Sequence, residues 1–266
     1  MSIQVVTIDG PAGAGKSTVA RRLAERLNWR FLDTGAMYRA LALAALRQRV
    51  DLQDDLALAR LAADRQIRLA GTTVWLDGDD VSLAIRNPEV ATASSLVARC
   101  PSVRAKLVDR QRQLAQEGPT VTEGRDQGTV VFPEAQHKFF LTASPEERAA
   151  RRAAELAARG TAVDPNQVLR ELRQRDDQDA QRAVGPLRPA PDALIVDTTG
   201  LPVEEVISLL AERVLASSAA PALDRLAQAW TLDQSRLVAI GRTVEDAARA
   251  AQLCAEPYVV RSSAGG

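Results

Sequence analysis

The feature that most constrains this chain is a glycine-rich turn, GPAGAGKST at residues 10–18, which directly follows the apolar run IQVVTI. The turn fits the pattern G-x-x-x-x-G-K-[ST], and an amphipathic pattern, VARRLAERL, comes after it. A strand, a glycine-rich turn and a helix in this order are the context in which the pattern marks a phosphate-binding loop. A tight turn with a solvated lysine is the alternative, and the complete pattern in this context argues against it. The sequence therefore predicts a nucleoside triphosphate site.

Each part of this turn has an expected task. Its glycines let backbone N–H groups converge on phosphate oxygens, and the helix that follows adds the positive end of its dipole. Lys16 is expected to reach the β- and γ-phosphates, and the Ser17 hydroxyl to take a position on Mg²⁺. Lysine occurs elsewhere only at positions 106 and 138, so the one inside the turn indicates a need for a compact ammonium group. The predicted triphosphate-binding residues are Gly10, Pro11, Ala12, Gly13, Ala14, Gly15, Lys16, Ser17 and Thr18.

The order of the predicted elements indicates an α/β protein. Apolar strand patterns alternate with helix patterns, which is typical of a mostly parallel sheet with helices on both faces. A stretch near residues 65–85 instead alternates as a small hairpin, with turn signals at Gly71 and in DGDD, and this predicts an inserted β element. SPEE predicts a helix start with Ser144 as its cap, and DPNQ predicts another with Asp164 as its cap.

The composition favours a soluble cytoplasmic protein with one main domain. The 266 residues contain no 18-residue apolar run and no charged-then-apolar leader, so no membrane segment is predicted. Lys+Arg and Asp+Glu each total 34, and this balance argues against nucleic acid as a partner. Cys100 and Cys254 lack metal-ligand spacing. At residue 217 the composition changes, and SSAAPA resembles a linker, so we expect a domain at 1–216 and a C-terminal appendage at 217–266.

Arginines narrow the chemistry further. The guanine-reading NKxD of GTP-binding switches is missing, and VTE and LIVD are poor versions of the acidic strand end of motor-type ATPases. Arginines in turns and helix starts are typical of clamps on anionic groups. Phosphoryl transfer to another phosphate needs positioning and charge neutralisation but no base, because the acceptor is already an anion. The arginines in such positions are Arg39, Arg104, Arg125, Arg148, Arg151, Arg152, Arg175 and Arg182.

Over about residues 3–215 the chain resembles the bacterial cytidylate kinases, a branch of the nucleoside monophosphate (NMP) kinases. The motifs that carry the resemblance are TIDGPAGAGKST, LDTGAMYRALA, SSLVARCPSVR, EGRDQGTVVFP, SPEERAARR and RDDQDAQRAVGPL. The resemblance implies a P-loop core that binds ATP and Mg²⁺, an NMP-binding insertion at about 35–115 and an arginine-bearing lid at about 145–165. It also implies phosphorylation of CMP and dCMP to CDP and dCDP. We expect the protein to be a monomer whose partners are small molecules.

The resemblance further implies roles for individual residues. The implied catalytic residues are Lys16, Arg125, Arg148 and Arg152, the last two as lid arginines that close over the γ-phosphate. The remaining implied residues bind CMP. Arg39 and Arg125 would grip the acceptor phosphate, and Ser95, Arg104 and Asp126 would read the base. Arg175 and Asp179 would face the ribose, Thr34 and Tyr38 would lie at the wall of the acceptor site, and Arg182 would lie near the phosphates.

From the residues alone, other interpretations stay open. Asp126 could cap the turn that follows it, Asp179 could be a charge on a helix surface, and Tyr38 could pack in the core. The nearest alternative function is a kinase of the same fold that acts on another small acceptor, such as a UMP/CMP or shikimate-type enzyme. A nucleotide-binding regulatory module without transfer activity is an alternative of a different class. Arginines on both the lid side and the acceptor side argue against it.

Overall fold

The computed structural model describes residues 4–158, 160 and 163–230, with residues 217–230 as backbone only. Strands and helices alternate along most of the chain, as predicted. The elements are β1 (Val5–Asp9), α1 (Lys16–Leu27), β2 (Arg30–Asp33), α2 (Thr34–Arg47), α3 (Asp55–Asp64), β3 (Ile67–Ala70), β4 (Thr73–Leu76), β5 (Asp79–Asp80), α4 (Pro88–Val97), α5 (Pro101–Ala115), β6 (Thr120–Gly124), β7 (His137–Thr142), α6 (Pro145–Ala158), α7 (Pro165–Ala180), β8 (Leu194–Asp197) and α8 (Val203–Trp230).

The main sheet contains five parallel strands in the order β2-β6-β1-β7-β8. Because all five run the same way, their carboxyl ends meet at one edge, which is where open α/β sheets bind ligands. Asp9 at the end of β1 is in register with Gly124 of β6, and Asp33 of β2 is in register with Glu123. The parallel sheet thus brings carboxylates from three strands together beside the start of the glycine-rich turn.

The apolar strand runs arise because helices cover both faces of the sheet. Every residue of β1 and of β6 is buried. On one face, α1 and α8 pack against the sheet, with Leu23, Leu210 and Val214 all fully buried. Burying one such aliphatic side chain stabilises a fold by roughly 1.5–3 kcal/mol, so α8 up to Val214 is an integral part of this core.

The inserted β element between β2 and β6 is confirmed. Strands β3 and β4 form an antiparallel hairpin that turns at Gly71, and the two-residue strand β5 adds a third member to this second sheet. Helices α2 to α5 surround it and share a hydrophobic core with it, in which Met37, Leu41, Leu58 and Ile85 are fully buried. The segment between β2 and β6 therefore has a core of its own beside the main sheet.

The predicted caps at both helix starts are confirmed, and the segment SSAAPA, which resembles a linker in the sequence, is helical. Ser144 Oγ accepts a hydrogen bond from the Glu147 N–H at 3.2 Å, and the Asp164 carboxylate accepts one from Asn166 at 2.9 Å. Helix α8 runs through SSAAPA to Trp230. Residues 231–266, with Cys254, lie outside the described residues. Within the described ranges, no helix combines the length and apolarity that a bilayer crossing requires.

Candidate active site

The glycine-rich turn joins β1 to α1 in the backbone geometry of a phosphate loop. Gly10, Gly13 and Gly15 have φ values of 145°, 78° and 84°, which L residues rarely adopt. A Cβ on Gly10 would collide with the carbonyl oxygen of Leu141. Gly15 precedes the first turn of α1 and has no side chain to cap it. The free N–H groups of that turn therefore form an anion site.

Lys16 is held inside this loop. Its side chain is 5% exposed, and its Nζ donates a hydrogen bond of 2.7 Å to the carbonyl oxygen of Pro11. Burial, followed by the nearby charge of Arg125, lowers the pKa of Lys16. A bound phosphate would offset both effects, because an adjacent anion favours the ammonium form. The position and environment of Lys16 match its expected task.

Glu123, at the end of β6, is a site residue that the sequence prediction missed. Its carboxylate accepts a hydrogen bond of 3.2 Å from Ser17 Oγ, and its backbone oxygen accepts one of 2.6 Å from Thr34 Oγ1. Burial, and next the charge of Asp33, raise the pKa of Glu123. The VTE at the end of an apolar strand was the available signal. A hydroxyl and a carboxylate in contact supply the oxygen ligands that Mg²⁺ prefers.

One cavity of about 460 Å³ lies along the carboxyl edge of the sheet. Six of the nine predicted triphosphate-binding residues line it, namely Ala12, Gly13, Gly15, Lys16, Ser17 and Thr18, whereas Gly10, Pro11 and Ala14 do not. All ten residues that the family resemblance implied for CMP line the same cavity: Thr34, Tyr38, Arg39, Ser95, Arg104, Arg125, Asp126, Arg175, Asp179 and Arg182. The fold thus brings these ten residues together from four helices and two loops.

Arg104 and Asp126 form a buried ion pair on the wall of this cavity, with side chains 3% and 7% exposed. The Arg104 guanidinium also lies over the ring of Tyr38, 5.9 Å from its centroid. Burial raises the pKa of Asp126, and the charge of Arg104 opposes this. Asp126 precedes a helical turn at Gln127–Val131 but makes no side-chain cap. The capping alternative for Asp126 is therefore wrong.

Asp179 lies at the centre of a cluster of arginines. Its carboxylate accepts a hydrogen bond of 2.8 Å from Arg125 Nε and pairs with Arg182. The Asp179 side chain is 1% exposed, so the surface-charge alternative is wrong. Burial and the charge of Arg125 lower the pKa of Arg175 to about 10, and its buried Nε has no hydrogen-bond partner. Such a crowded group of cations is suited to an anionic ligand.

The two predicted lid arginines have different environments. Arg152 lines the cavity and pairs with Glu155 at 2.9 Å. Arg148 is 5% exposed and lies outside the cavity lining, where its guanidinium donates to the carbonyl oxygens of Ala12 and Ala143 at 3.0 and 3.1 Å. It also pairs with Asp176. In this geometry the guanidinium of Arg148 supports the phosphate loop through hydrogen bonds to the protein, and its contact with the γ-phosphate stays a prediction.

Comparison with known proteins identifies the family of this chain. A sequence model of the family described as "Cytidylate kinase" matches residues 6–216. The cytidylate kinase of Pelotomaculum thermopropionicum is 55% identical over 216 residues, which cover 79% of this chain and 96% of that protein. Those of Desulforamulus reducens and Aeromonas hydrophila are 53% and 51% identical, over 76% of this chain and 93% and 90% of theirs. The chain therefore belongs to the cytidylate kinase family, with the P-loop fold of the nucleoside monophosphate kinases.

Proposed function

We propose that this chain transfers the γ-phosphoryl group of ATP to CMP and dCMP, which gives CDP and dCDP. The observation that carries the proposal is the shared cavity of the Arg104–Asp126 pair and the phosphate-loop residues Lys16 and Ser17. A base bound at the pair and a triphosphate bound at the loop would point their phosphates toward the arginines between them. The named relatives are cytidylate kinases, which supports this choice of acceptor.

The hydrogen-bonding groups of the pair suit cytosine. Cytosine presents an amino donor at position 4 and acceptors at N3 and O2. Asp126 can accept from the amino group, with the Ser95 hydroxyl nearby, and the Arg104 fork can donate to the two acceptors. Uracil reverses the pattern at positions 4 and 3, so its carbonyl would face a carboxylate and its N3–H would face a guanidinium. Each buried mismatch costs roughly 1–3 kcal/mol, and such a site discriminates better than shape alone.

The phosphate side of the cavity suits transfer without a general base. An acceptor phosphate is an anion near neutral pH, so the chain has to align it and neutralise the charge of the transition state. Arg39 and Arg125 are the proposed grips on the acceptor phosphate, and Arg39 is oriented by hydrogen bonds of 3.0 and 3.2 Å to Asp33. Lys16 and Arg152 are the proposed contacts with the transferring group. All four side chains line the same cavity, and donors that the fold itself holds in position lower the cost of reorganisation.

Mg²⁺ is the proposed cofactor, and the residues present fit it. Ser17 Oγ would be a direct ligand, and the Glu123 carboxylate beside it would bind the ion or one of its waters. Magnesium sites in phosphoryl-transfer enzymes combine one or two such protein oxygens with phosphate oxygens of the substrate. When bound, the ion would neutralise charge on the β- and γ-phosphates.

We also propose that residues 1–216 form the kinase domain, with the NMP-binding insertion at about 35–115 and the lid at about 145–165. The family match that ends at residue 216 supports this boundary. The remaining residues, 217–266, would be an appendage outside the catalytic unit. The protein is proposed to act as a cytoplasmic monomer whose partners are small molecules, and its balanced charge supports the proposal that nucleic acid is not among them.

A coupled ADP-release assay tests the proposed function. The panel comprises CMP, dCMP, UMP, AMP, GMP and shikimate, and we expect CMP and dCMP to have the highest kcat/KM. Asp126→Asn should lower kcat/KM for CMP about tenfold or more and shrink the preference for CMP over UMP, because an amide can also donate to the uracil carbonyl. Asp109→Asn, exposed on α5, is the matched control. Equal losses for CMP and UMP would contradict base reading by Asp126, and absence of any phosphorylated acceptor would favour a regulatory module.

A further inference from the structure

The helical turn that follows Asp126 begins with N–H groups that the turn itself does not satisfy. Within it, Val130 and Val131 donate to the carbonyl oxygen of Asp126, and Phe132 donates to that of Gln127. These bonds leave the first two N–H groups, those of Gln127 and Gly128, to other acceptors. At such a start, the side chain of the preceding Asp, Asn, Ser or Thr ordinarily accepts them. Asp126 stands at that position.

The carboxylate of Asp9, and not that of Asp126, caps this turn. Its carboxylate oxygens accept hydrogen bonds from the Gln127 N–H at 2.8 Å and from the Gly128 N–H at 2.7 Å. Asp9 comes 118 residues before Gln127 in the chain, and the β1–β6 pairing brings it beneath the turn. It is 4% exposed and is not among the residues that line the cavity. The Asp126 carboxylate is turned the other way, toward Arg104.

Hydrogen bonds fix the other groups of this turn, so the open question is whether Asp9 or Asp126 accepts from its first N–H groups. The side chain of Gln127 accepts from Thr122 Oγ1 at 2.9 Å and donates to Gln111 at 3.2 Å. Arg112 donates to the carbonyl oxygens of Val130 and Val131 at 3.0 and 2.9 Å. A buried pair of N–H groups without an acceptor is costly, and the positive end of a helical turn attracts the nearest carboxylate. Without Asp9, that carboxylate would be Asp126.

We propose that Asp9 is a positioning residue for acceptor recognition: it caps the turn in place of Asp126 and so leaves the Asp126 carboxylate free to read the base. This inference rests on the proposed function, because the base is taken to be cytosine. Asp9 acts through Asp126 and does not touch the acceptor. Because Asp9 directly precedes Gly10, the same residue also joins the base-reading loop to the phosphate loop.

Asp9→Asn tests this inference in the full-length chain. The amide keeps the shape of the side chain but offers only one acceptor oxygen to the two N–H groups, so Asp126 should turn to cap. We expect the preference for CMP over UMP to fall about tenfold and KM for CMP to rise about tenfold, with kcat within about threefold, as loss of a ground-state contact predicts.

The matched control is Asp197→Asn. Asp197 also ends a strand of the main sheet and accepts from the N–H and the hydroxyl of Thr199, at 2.9 and 2.7 Å, but it does not line the cavity. The substitution Asp197→Asn should lower the melting temperature without any change in the preference between CMP and UMP. An equal change of preference in both variants would reduce Asp9 to a structural role and overturn the proposal.

A double-variant cycle gives the sharpest result. If Asp9 acts through Asp126, then Asp126→Asn combined with Asp9→Asn should show about the same preference as Asp126→Asn alone, because coupled residues are not additive. Independent, additive losses would overturn the proposal. If Asp9→Asn does not fold, Asp9→Ser provides one hydroxyl acceptor in less space, and an unchanged preference in that variant would count equally against the proposal.

A crystal structure of Asp9→Asn separates this inference from the proposed function. We expect the Asp126 carboxylate to have left Arg104 for the N–H groups of Gln127 and Gly128, whatever the acceptor of the enzyme is. An Asp126–Arg104 pair unchanged in that structure would refute the positioning role. Failure of the wild-type protein to prefer CMP would refute the proposed acceptor and leave the structural result to stand.

Discussion

The hydroxyl of Ser17 and the carboxylate of Glu123 lie 3.2 Å apart, so the first turn of α1 and the end of β6 meet at one point of the cavity. Glu123 is 5% exposed, and its backbone oxygen is fixed by Thr34. A buried carboxylate in contact with the phosphate-loop hydroxyl places negative charge where a divalent cation would bind beside the triphosphate. This contact also links the donor side of the cavity to the acceptor side, because Thr34 begins α2.

Glu123→Gln keeps the shape of this contact and removes its charge. If Glu123 holds Mg²⁺ directly or through water, kcat should fall about 10- to 100-fold, and the Mg²⁺ concentration at half-maximal rate should rise. KM for CMP should change much less. The measurement is a Mg²⁺ titration of the initial rate, with Glu117→Gln, which is exposed at the surface, as the control. An unaltered Mg²⁺ dependence would contradict the assignment.

Lys16 and Lys138 are both buried lysines, so Lys138→Ala is a matched control for Lys16→Ala. Lys16→Ala should reduce kcat by roughly 100- to 1,000-fold, because charge neutralisation in transfer is lost. Its melting temperature should hold, since a buried ammonium is itself costly. Lys138 Nζ donates to Asp192 at 3.0 and 2.8 Å and does not line the cavity, so Lys138→Ala should cost about 1–2 kcal/mol of stability and leave kcat within a few-fold. Near-normal turnover of Lys16→Ala would remove Lys16 from the mechanism.

Arg148 and Arg152 should respond differently to the same change. Arg152→Lys should lower kcat more than it weakens CMP binding, because an ammonium cannot reproduce the guanidinium fork on a transferring phosphoryl group. Arg148→Lys should instead lower stability by about 2–4 kcal/mol and raise KM for ATP, since Arg148 supports the phosphate loop through a buried ion pair. Steady-state kinetics and thermal unfolding distinguish the two. An unchanged kcat with a raised KM for CMP would place Arg152 on the acceptor instead.

Removal of the appendage should leave the chemistry intact. A chain that ends at Ala216 keeps every motif of the family resemblance and the part of α8 that packs in the core, which extends to Val214. We expect its kcat and KM values to stay within about twofold of the full-length protein. A chain that ends at Pro202 is the contrasting control, because it lacks the buried face of α8 and should not fold. Loss of turnover in a folded 1–216 chain would show that the appendage takes part in catalysis.

Asp9 should make stability depend on pH. Burial raises its pKa to about 7 from an ordinary value of 3.8, with Asp126 adding to the shift and the two N–H groups and Lys16 opposing it. A carboxyl group with a raised folded-state pKa binds its proton more tightly in the folded state. Its stabilisation is therefore complete below pH 3.8 and is lost as the pH rises through about 7.

Urea unfolding of the wild type and of Asp9→Asn between pH 4 and pH 8 measures this effect. The free energy of unfolding of the wild type should fall relative to that of the variant across this range, by at most about 4 kcal/mol. The amide does not titrate, so the variant serves as the reference at each pH. A difference that stays constant from pH 4 to pH 8 would show that Asp9 has no raised pKa in the folded protein.

Local patterns determined much of this protein in advance. The phosphate loop could be identified because its glycines, Lys16 and Ser17 are adjacent in the chain and follow an apolar strand. The alternation of strands and helices indicated the parallel sheet, and the period-2 pattern with Gly71 indicated the inserted hairpin. The ten acceptor residues were implied by the resemblance to the cytidylate kinases, because they lie in motifs of this sequence that match that family. The loop and the periodic patterns could be identified because each of them lies within a short stretch of the sequence.

Only the tertiary structure decided which carboxylate meets which donor. The parallel sheet brings Glu123 to Ser17 and Asp9 to Gln127 across more than a hundred residues, and no local pattern encodes such pairs. Asp126 could have capped its own turn by every local rule, yet Asp9 does so, and Asp126 is left to face Arg104. Arg148 shares a helix face with Arg152 in sequence, but burial behind the phosphate loop engages its guanidinium with protein oxygens. Long-range packing sets these partners because a buried polar group has to find its hydrogen bonds wherever the fold supplies them.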